Sequence, residues 1–168
     1  MSSFKLKQFV FRLIILLGIA GGILVIMMMN TSEKEGTSPN YIGRSEISVT
    51  DGHMTPEVLL SFGRLSDPQV SPDGEHILYG VSYTSVEQNR SCRNLFICKL
   101  DGSENTQITF EGKSINNARW IEGGKKLIYL QGGQVYTEEI NLGKKGWKLS
   151  GKKQITDVAA GVGEFKLS

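Results

Sequence analysis

The chain has 168 residues, enough for one domain of ordinary size, and its 21% charged and 39% hydrophobic residues belong to a folded protein rather than a disordered one. A formal net charge of +2 is too small to point to nucleic acid as a partner. Twenty glycines against four prolines favour the many tight turns that short antiparallel strands need and long helices do not.

Lys5, Lys7 and Arg12 precede an uncharged apolar run from Leu13 to Met29. As a helix its seventeen residues would cover roughly 26 Å, the lower limit for a hydrocarbon core. Cations before the run, and the balanced Glu33, Lys34 and Glu35 after it, keep the start of the chain in the cytoplasm and export everything beyond Asn30. Signal cleavage needs small residues just after the apolar core. Ala20 and Gly22 come too early, since cutting there leaves Ile23 to Met29 as an apolar terminus, and no small-x-small pattern follows Met29. Residues 1–30 therefore read as a signal anchor, a transmembrane helix meeting the membrane through residues 13–29. The carboxy-terminal part would lie in the periplasm; cleavage and secretion to the periplasm is the alternative.

Thr31 to Asn40 is rich in Ser, Thr, Glu and Gly and reads as solvated, the first part of a linker over 31–53. Tyr41 to Asp51 alternates weakly and could add a strand. Thr55-Pro56-Glu57 starts a helix with a hydroxyl cap, a first-turn proline and an early carboxylate. Val58, Leu59, Leu60 and Phe62 supply its apolar side, and Gly63 can end it.

After this helix the chain repeats itself. Val70-Ser71-Pro72-Asp73-Gly74-Glu75-His76-Ile77-Leu78-Tyr79 aligns with Trp120-Ile121-Glu122-Gly123-Gly124-Lys125-Lys126-Leu127-Ile128-Tyr129 at an offset of fifty residues. Asn94-Leu95-Phe96-Ile97 then matches Gln134-Val135-Tyr136-Thr137, and Gln107-Ile108-Thr109 matches Gln154-Ile155-Thr156. A third copy opens at Glu164-Phe165-Lys166-Leu167-Ser168. Each unit reads as four short strands joined by turns: in the first, a strand ending at Val70, then His76 to Tyr83, Asn94 to Leu100 and Thr106 to Thr109. Four strands recurring every ~40–50 residues is the pattern of a propeller blade. The expected fold class is all-β, an incomplete β-propeller of about two four-stranded antiparallel blades over 54–168. Their bounds are about 64–113 and 114–160, with the start of a third. Cys92 and Cys98 flank Arg93 to Ile97 on one extended strand, so their Cα atoms stand roughly 20 Å apart and cannot be bridged. They are expected as free thiols, with Cys98 in the core.

Ser71-Pro72-Asp73-Gly74 followed by Ile77-Leu78-Tyr79 resembles the TolB-like (WD40-like) repeat of exported propellers. The helix from Thr55 to Phe62, then Arg64-Leu65-Ser66-Asp67-Pro68-Gln69-Val70-Ser71-Pro72-Asp73-Gly74, resembles the opening of bacterial prolyl-oligopeptidase-family serine peptidases, in the dipeptidyl-peptidase and acylaminoacyl-peptidase branch. Leu100-Asp101-Gly102-Ser103 with Gln107-Ile108-Thr109 fits the end of a blade in that group. Glu122-Gly123 departs from the Pro-Asp of that pattern. The resemblance covers about Met54 to Ser168. It implies a propeller that covers a carboxy-terminal α/β-hydrolase domain and filters peptide substrates by size. That domain carries the Ser-Asp-His triad in complete members, so this chain reads as a truncated propeller region with no catalysis of its own.

Gly80-Val81-Ser82-Tyr83-Thr84 nearly matches a nucleophile elbow, but the second glycine is missing and the segment reads as strand. His53 lies in the linker and His76 follows a turn, where it should be exposed; no triad is assigned. Glu138 and Glu139 suggest an amino-terminus-binding pair of the kind some family members carry. As adjacent strand residues they point to opposite faces, and both read as solvated. Gly161-Val162-Gly163 lacks the third glycine of a dinucleotide loop. Lys144, Lys145, Lys148, Lys152 and Lys153 around Trp147 read as a solvated hairpin. No catalytic, cofactor-binding or metal-binding residue is assigned, no cofactor is expected, and no nucleic acid. Peptide would be the substrate only of a complete enzyme. Two alternatives stand beside the peptidase reading: a non-enzymatic exported propeller that binds protein, and a two-blade unit completing a ring with copies of itself. Ile128, Leu130 and Val135 are the expected uncovered surface for such self-association.

The anchor reading has a direct outcome. The protein should fractionate with membranes, its body open to protease only from the periplasmic side. A soluble mature form whose amino terminus lies beyond Met29 would show cleavage instead.

Overall fold

The computed structural model describes residues 38–47, 49, 52–143 and 146–167. The basic flank and the 13–29 run lie outside the described residues, as do Lys144 and Lys145. Among the described residues, no helix is long and apolar enough to cross a membrane.

The helix, α1, spans Pro56–Ser61. The extended Thr55 caps it, its hydroxyl accepting from the Val58 amide at 3.3 Å. The expected apolar side is narrower than its sequence suggests, because Val58 is buried while Leu59 and Phe62 stand half exposed. Gly63 does not end the helix through a left-handed cap. Phe62 is already extended (φ −69°, ψ 130°) and leads straight into the first strand. Gly63 is required by close approach instead: a Cβ there would stand 2.7 Å from the side chains of Val81 and Tyr83.

Eight strands follow, in two four-stranded antiparallel sheets with neighbours in chain order. The first sheet holds β1 (Arg64–Val70), β2 (His76–Ser85), β3 (Arg90–Lys99) and β4 (Thr106–Gln107). The second holds β5 (Ile115–Ile121), β6 (Lys126–Gln131), β7 (Gln134–Gly143) and β8 (Gly146–Gln154). Cys92 and Cys98 both lie on β3, free and buried. Burial pushes both thiols up, away from the reactive thiolate.

The internal repeat extends to single hydrogen bonds. Tyr79 pairs with Phe96 across β2 and β3, and Tyr129 pairs with Tyr136 across β6 and β7. The Leu95 amide donates to Thr109 Oγ1 at 2.8 Å, and the Val135 amide to Thr156 Oγ1 at 2.9 Å. The Ile108 amide reaches the Leu95 carbonyl and the Ile155 amide the Val135 carbonyl. Gln107 and Gln154 each donate to the carbonyl two residues on, both at 2.6 Å. The pairing of first with second strand breaks register in both sheets, between Ser66 and Gln69 and between Asn116 and Arg119, where Asp67 (φ 53°) and Asn117 (φ 49°) form bulges. The turn after β1 uses Gly74 (φ 76°), where the Ser71 hydroxyl joins the Asp73 carboxylate and accepts from the His76 amide. In the second unit Glu122–Gly124 makes a 3-10 turn with Gly124 at φ 90°, so Glu122-Gly123 in place of Pro-Asp leaves the reversal intact.

The two sheets share one core. Leu78, Leu95, Ile97 and Ile108 from the first meet Ile115, Ala118, Leu127, Tyr129 and Ile140 from the second. Arg119 on β5 donates to Asp67 on β1 at 2.8 Å, and His76 on β2 meets Trp147 on β8 edge-on at 5.0 Å. His76 is therefore half-buried rather than exposed.

Two sequence expectations need correction here. Leu130 and Val135 are 5% exposed, not uncovered. Chain beyond β8 returns to that part of the sheet, with the Val162 amide on the Gly133 carbonyl at 2.7 Å and Asn117 Nδ2 on the Phe165 carbonyl at 2.8 Å. Residues 41–47 add no strand; Pro39 and Asn40 are exposed, in line with the solvated reading, and the chain docks just after them. Ile42 is buried, and its carbonyl accepts from the buried Asn94 amide at 2.8 Å. Tyr41 donates to Gln107 at 2.9 Å.

Thr109→Val removes the acceptor of a buried amide while keeping the side chain's shape. It should lower the unfolding free energy by about 1–3 kcal/mol. Thr156→Val should cost less, since that bond is only part-buried. Urea denaturation of the two variants checks the order.

Candidate functional site

The chemistry-bearing residues singled out in the sequence stay apart. Ser82 lies within β2 and His76 at its start, six residues away along an extended strand, which is roughly 20 Å. His53 precedes α1 and is exposed. Asp73, Glu75 and His76 bring ligand atoms within 4.8 Å of one another. Asp73 is committed to the Ser71 hydroxyl and the Glu75 amide, which hold its carboxyl below the usual range.

A different group assembles between the two sheets. On β6, Leu127, Tyr129 and Gln131 alternate onto the shared-core face, and Glu138 stands opposite Leu127 on β7. That register turns Glu138 inward, where it is 6% exposed, while Glu139 faces solvent. The opposite-face expectation thus holds for this pair, and the solvated expectation fails for Glu138. Its signal was available in the sequence, since the residue opposite an inward leucine shares the leucine's face.

Around Glu138 lies a cavity of about 210 Å³, lined by Ile108, Thr109, Phe110, Glu111, Ile115, Tyr129 and Leu149 as well. The Tyr129 ring is fully buried, and its hydroxyl stands beside the Glu138 carboxyl, its hydrogen-bonding neighbour. Lys152, read from sequence as solvated, folds over the rim. Its ammonium reaches Glu111 at 2.7 Å and the Gln131 side-chain oxygen Oε1 at 2.6 Å, and lies 5.1 Å from the Tyr136 ring centre. The Tyr129 and Tyr136 rings stack at 6.1 Å.

The two carboxyls respond oppositely. Burial pushes Glu138 up, with Glu111 adding to it, against the pull of Tyr129 and Lys152. Burial also works to raise Glu111, but the hydrogen bond and charge of Lys152, with the Gln131 amide, outweigh it and hold Glu111 low. Burial pushes the Tyr129 phenol well up, with Glu138 adding to it. Sequence reasoning missed Glu111, Tyr129 and Gln131 as members of one group, because only the closing of sheet on sheet brings them together.

A wider groove of about 960 Å³ lies on the other face of the first sheet, between residues Arg44, Ile47 and Phe62 and the strand residues Leu65, Tyr79 and Tyr83. Tyr79 and Val81 of its wall belong to a small apolar cluster with Cys98, packed with Phe96.

No protein-family model matches the chain. Dipeptidyl-peptidase 5 of Porphyromonas gingivalis is 36% identical over 81 residues, covering 48% of this chain and 12% of that protein. Dipeptidyl-peptidase 5 of Porphyromonas endodontalis is 38% identical over 77 residues, covering 46% of this chain and 11% of its own length. The chain is related to peptidases of the prolyl-oligopeptidase family. It spans only a small part, 12% and 11%, of the curated relatives it matches. Among solved structures, Pyrococcus horikoshii acylaminoacyl peptidase aligns with a TM-score of 0.44 at 20% identity, covering 60% of this chain and 15% of that one.

The raised Glu138 carboxyl has a pH consequence with a definite sign. Above the ordinary value of 4.5 and below its folded value, the folded state holds the proton that the unfolded state has released. Stability from this group therefore falls as pH rises through that window. Relative to Glu138→Gln, the native protein should lose stability from about pH 4.5 towards neutrality, measured as the difference in urea midpoints. Parallel curves for the two proteins would contradict it.

Proposed function

We propose that residues 64–160 are two blades of an amino-terminal propeller belonging to an exported prolyl-oligopeptidase-family serine peptidase. Residues beyond Gly161 open a third blade. In the whole enzyme this propeller gates peptide access to a hydrolase site, and peptide is a substrate of that whole enzyme only. The 13–29 run anchors the protein in the inner membrane with its body in the periplasm. The observation that carries the reading is the repeated hydrogen-bond set, Leu95 to Thr109 and Val135 to Thr156, in a chain that is 36% and 38% identical to dipeptidyl-peptidases over 81 and 77 residues. Unrelated hairpins have no reason to reuse a strand-closing threonine at the same place in successive four-stranded sheets.

The described residues contribute no nucleophile to this activity. Ser82 is held in a paired strand, opposite Arg64 and Arg93, and an elbow serine needs a strained strand-to-helix turn. Self-association is the second reading, favoured by the aromatic cluster on the first sheet's other face, where Tyr79 stacks on Phe96 at 5.7 Å.

The purified chain should neither hydrolyse dipeptidyl or acyl-peptide reporters nor be labelled by fluorophosphonate probes. Ser82→Ala should leave both readouts unchanged. Turnover lost on Ser82→Ala would place catalysis in this region and sink the gating role. For the propeller itself, sequencing the protein isolated from its source should find further four-stranded repeats and a Gly-x-Ser-x-Gly serine.

A further inference from the structure

We infer that the chain assembles head to tail with copies of itself, the outer face of its first sheet receiving the outer face of a second copy's second sheet. The inference rests on the self-association reading and names the two surfaces that meet.

The internal repeat places equivalent positions once inside the joint between the sheets and once on an outer face. Leu65 and Ile115 are such a pair: Leu65 stands opposite Val81 across β1 and β2, and Ile115 opposite Gln131 across β5 and β6. Ile115 is 1% exposed in the shared core, whereas Leu65 is 62% exposed. Ile108 and Ile155 are a second pair, their amides donating to the matched carbonyls of Leu95 and Val135. Ile108 is 6% exposed in the core and Ile155 is 51% exposed. One exposed leucine or isoleucine needs no explanation. Two of them, at the positions their counterparts use to join sheet to sheet, mark two open halves of the same joint.

The halves are complementary rather than alike. In the existing joint the first sheet presents Leu78 and Ile108, and the second presents Ile115 and Tyr129. Their counterparts on the outer faces are Ile128 and Ile155 on the second sheet, and Leu65 and Tyr79 on the first. The ring pair recurs as well, Tyr79 on Phe96 at 5.7 Å and Tyr129 on Tyr136 at 6.1 Å, stacked in both. Chain returning through Gly161 and Val162 passes the buried Leu130 and Val135 and leaves Ile155 open.

One molecule therefore carries both halves, on the two outer faces of its pair of sheets, where they cannot meet each other. A second copy supplies the matching half at either end. Such a contact is heterologous, so copies add in one direction until the rotation between them closes a ring. Propellers close with about four to eight four-stranded sheets, which two sheets per copy reach with about two to four copies.

The test measures the mass of the full chain in detergent by analytical ultracentrifugation, with variants of the exposed residue at each end. The native chain should form a discrete oligomer of about two to four copies. Leu65→Arg and Ile155→Arg should each be monomeric with unchanged far-ultraviolet dichroism, since both residues are more than half exposed within one copy. Mixed in equal amounts, the two variants should form a one-to-one pair and nothing larger, because each lends its intact end. Leu65→Ser and Ile155→Ser, which add no charge, should each weaken assembly by at least about tenfold. A monomeric native chain would overturn the inference together with the self-association reading. An oligomer broken by only one of the two arginine variants would be a contact of like faces; self-association would then stand and the head-to-tail joint would fall. An oligomer that survives both variants, or a mixture that does not pair, would overturn the joint in the same way.

Discussion

The structure rests on one shared surface. Each four-stranded sheet has an apolar face that its own strands cannot cover, and the two faces close on each other. Leu78, Leu95 and Ile97 on one side, and Leu127, Tyr129 and Ile115 on the other, are all 1% exposed or less. Fully burying side chains of this size is worth about 1.5–3 kcal/mol each, the largest favourable term available to strands this short. A single sheet of this kind would leave the whole set in water. Everything else follows from that closure, including the edge-on contact of His76 with Trp147 and the cavity beside Tyr129.

Most of the strand order was legible in the sequence, because repetition carries more information than propensity. An apolar residue, a glycine turn and an apolar pair ending in tyrosine mark the same hairpin twice. The Gln-x-Thr triplets mark the same closing strand. What could not be read was depth. Leu130 and Val135 have the look of an open blade face, yet both are buried in the neighbourhood of chain returning through Gly161 and Val162. Likewise Tyr41 and Ile42 sit in a stretch with the composition of a linker, and their docking depends on Asn94 and Gln107, more than fifty residues away. Contacts of that range leave no local trace.

The polar group between the sheets shows the same limit from the other side. Taken one at a time, Glu111, Glu138 and Lys152 look like surface residues, as charged residues usually are. Strand parity alone places Glu138 inside, given Leu127 opposite it. Parity does not bring in Glu111, which comes from the loop before β5, or Lys152 from the last strand. The two carboxyls are chemically alike, and their environments separate them: Lys152 and Gln131 hold one low, while burial lifts the other. The Tyr129 hydroxyl belongs to this asymmetry, pulling on Glu138 from within while Lys152 holds Glu111 at the rim.

The bulge residues Asp67 and Asn117 occupy equivalent places in the two units, and both reach forward. Asp67 receives Arg119 across fifty-two positions, and Asn117 donates to the Phe165 carbonyl across forty-eight. Each unit therefore carries the fastener for its successor inside its own first strand. A gene segment encoding one unit encodes the joint as well, so tandem duplication adds a module already fitted to receive the next. The number of units in such an architecture can change by copying alone, without a new interface having to be invented.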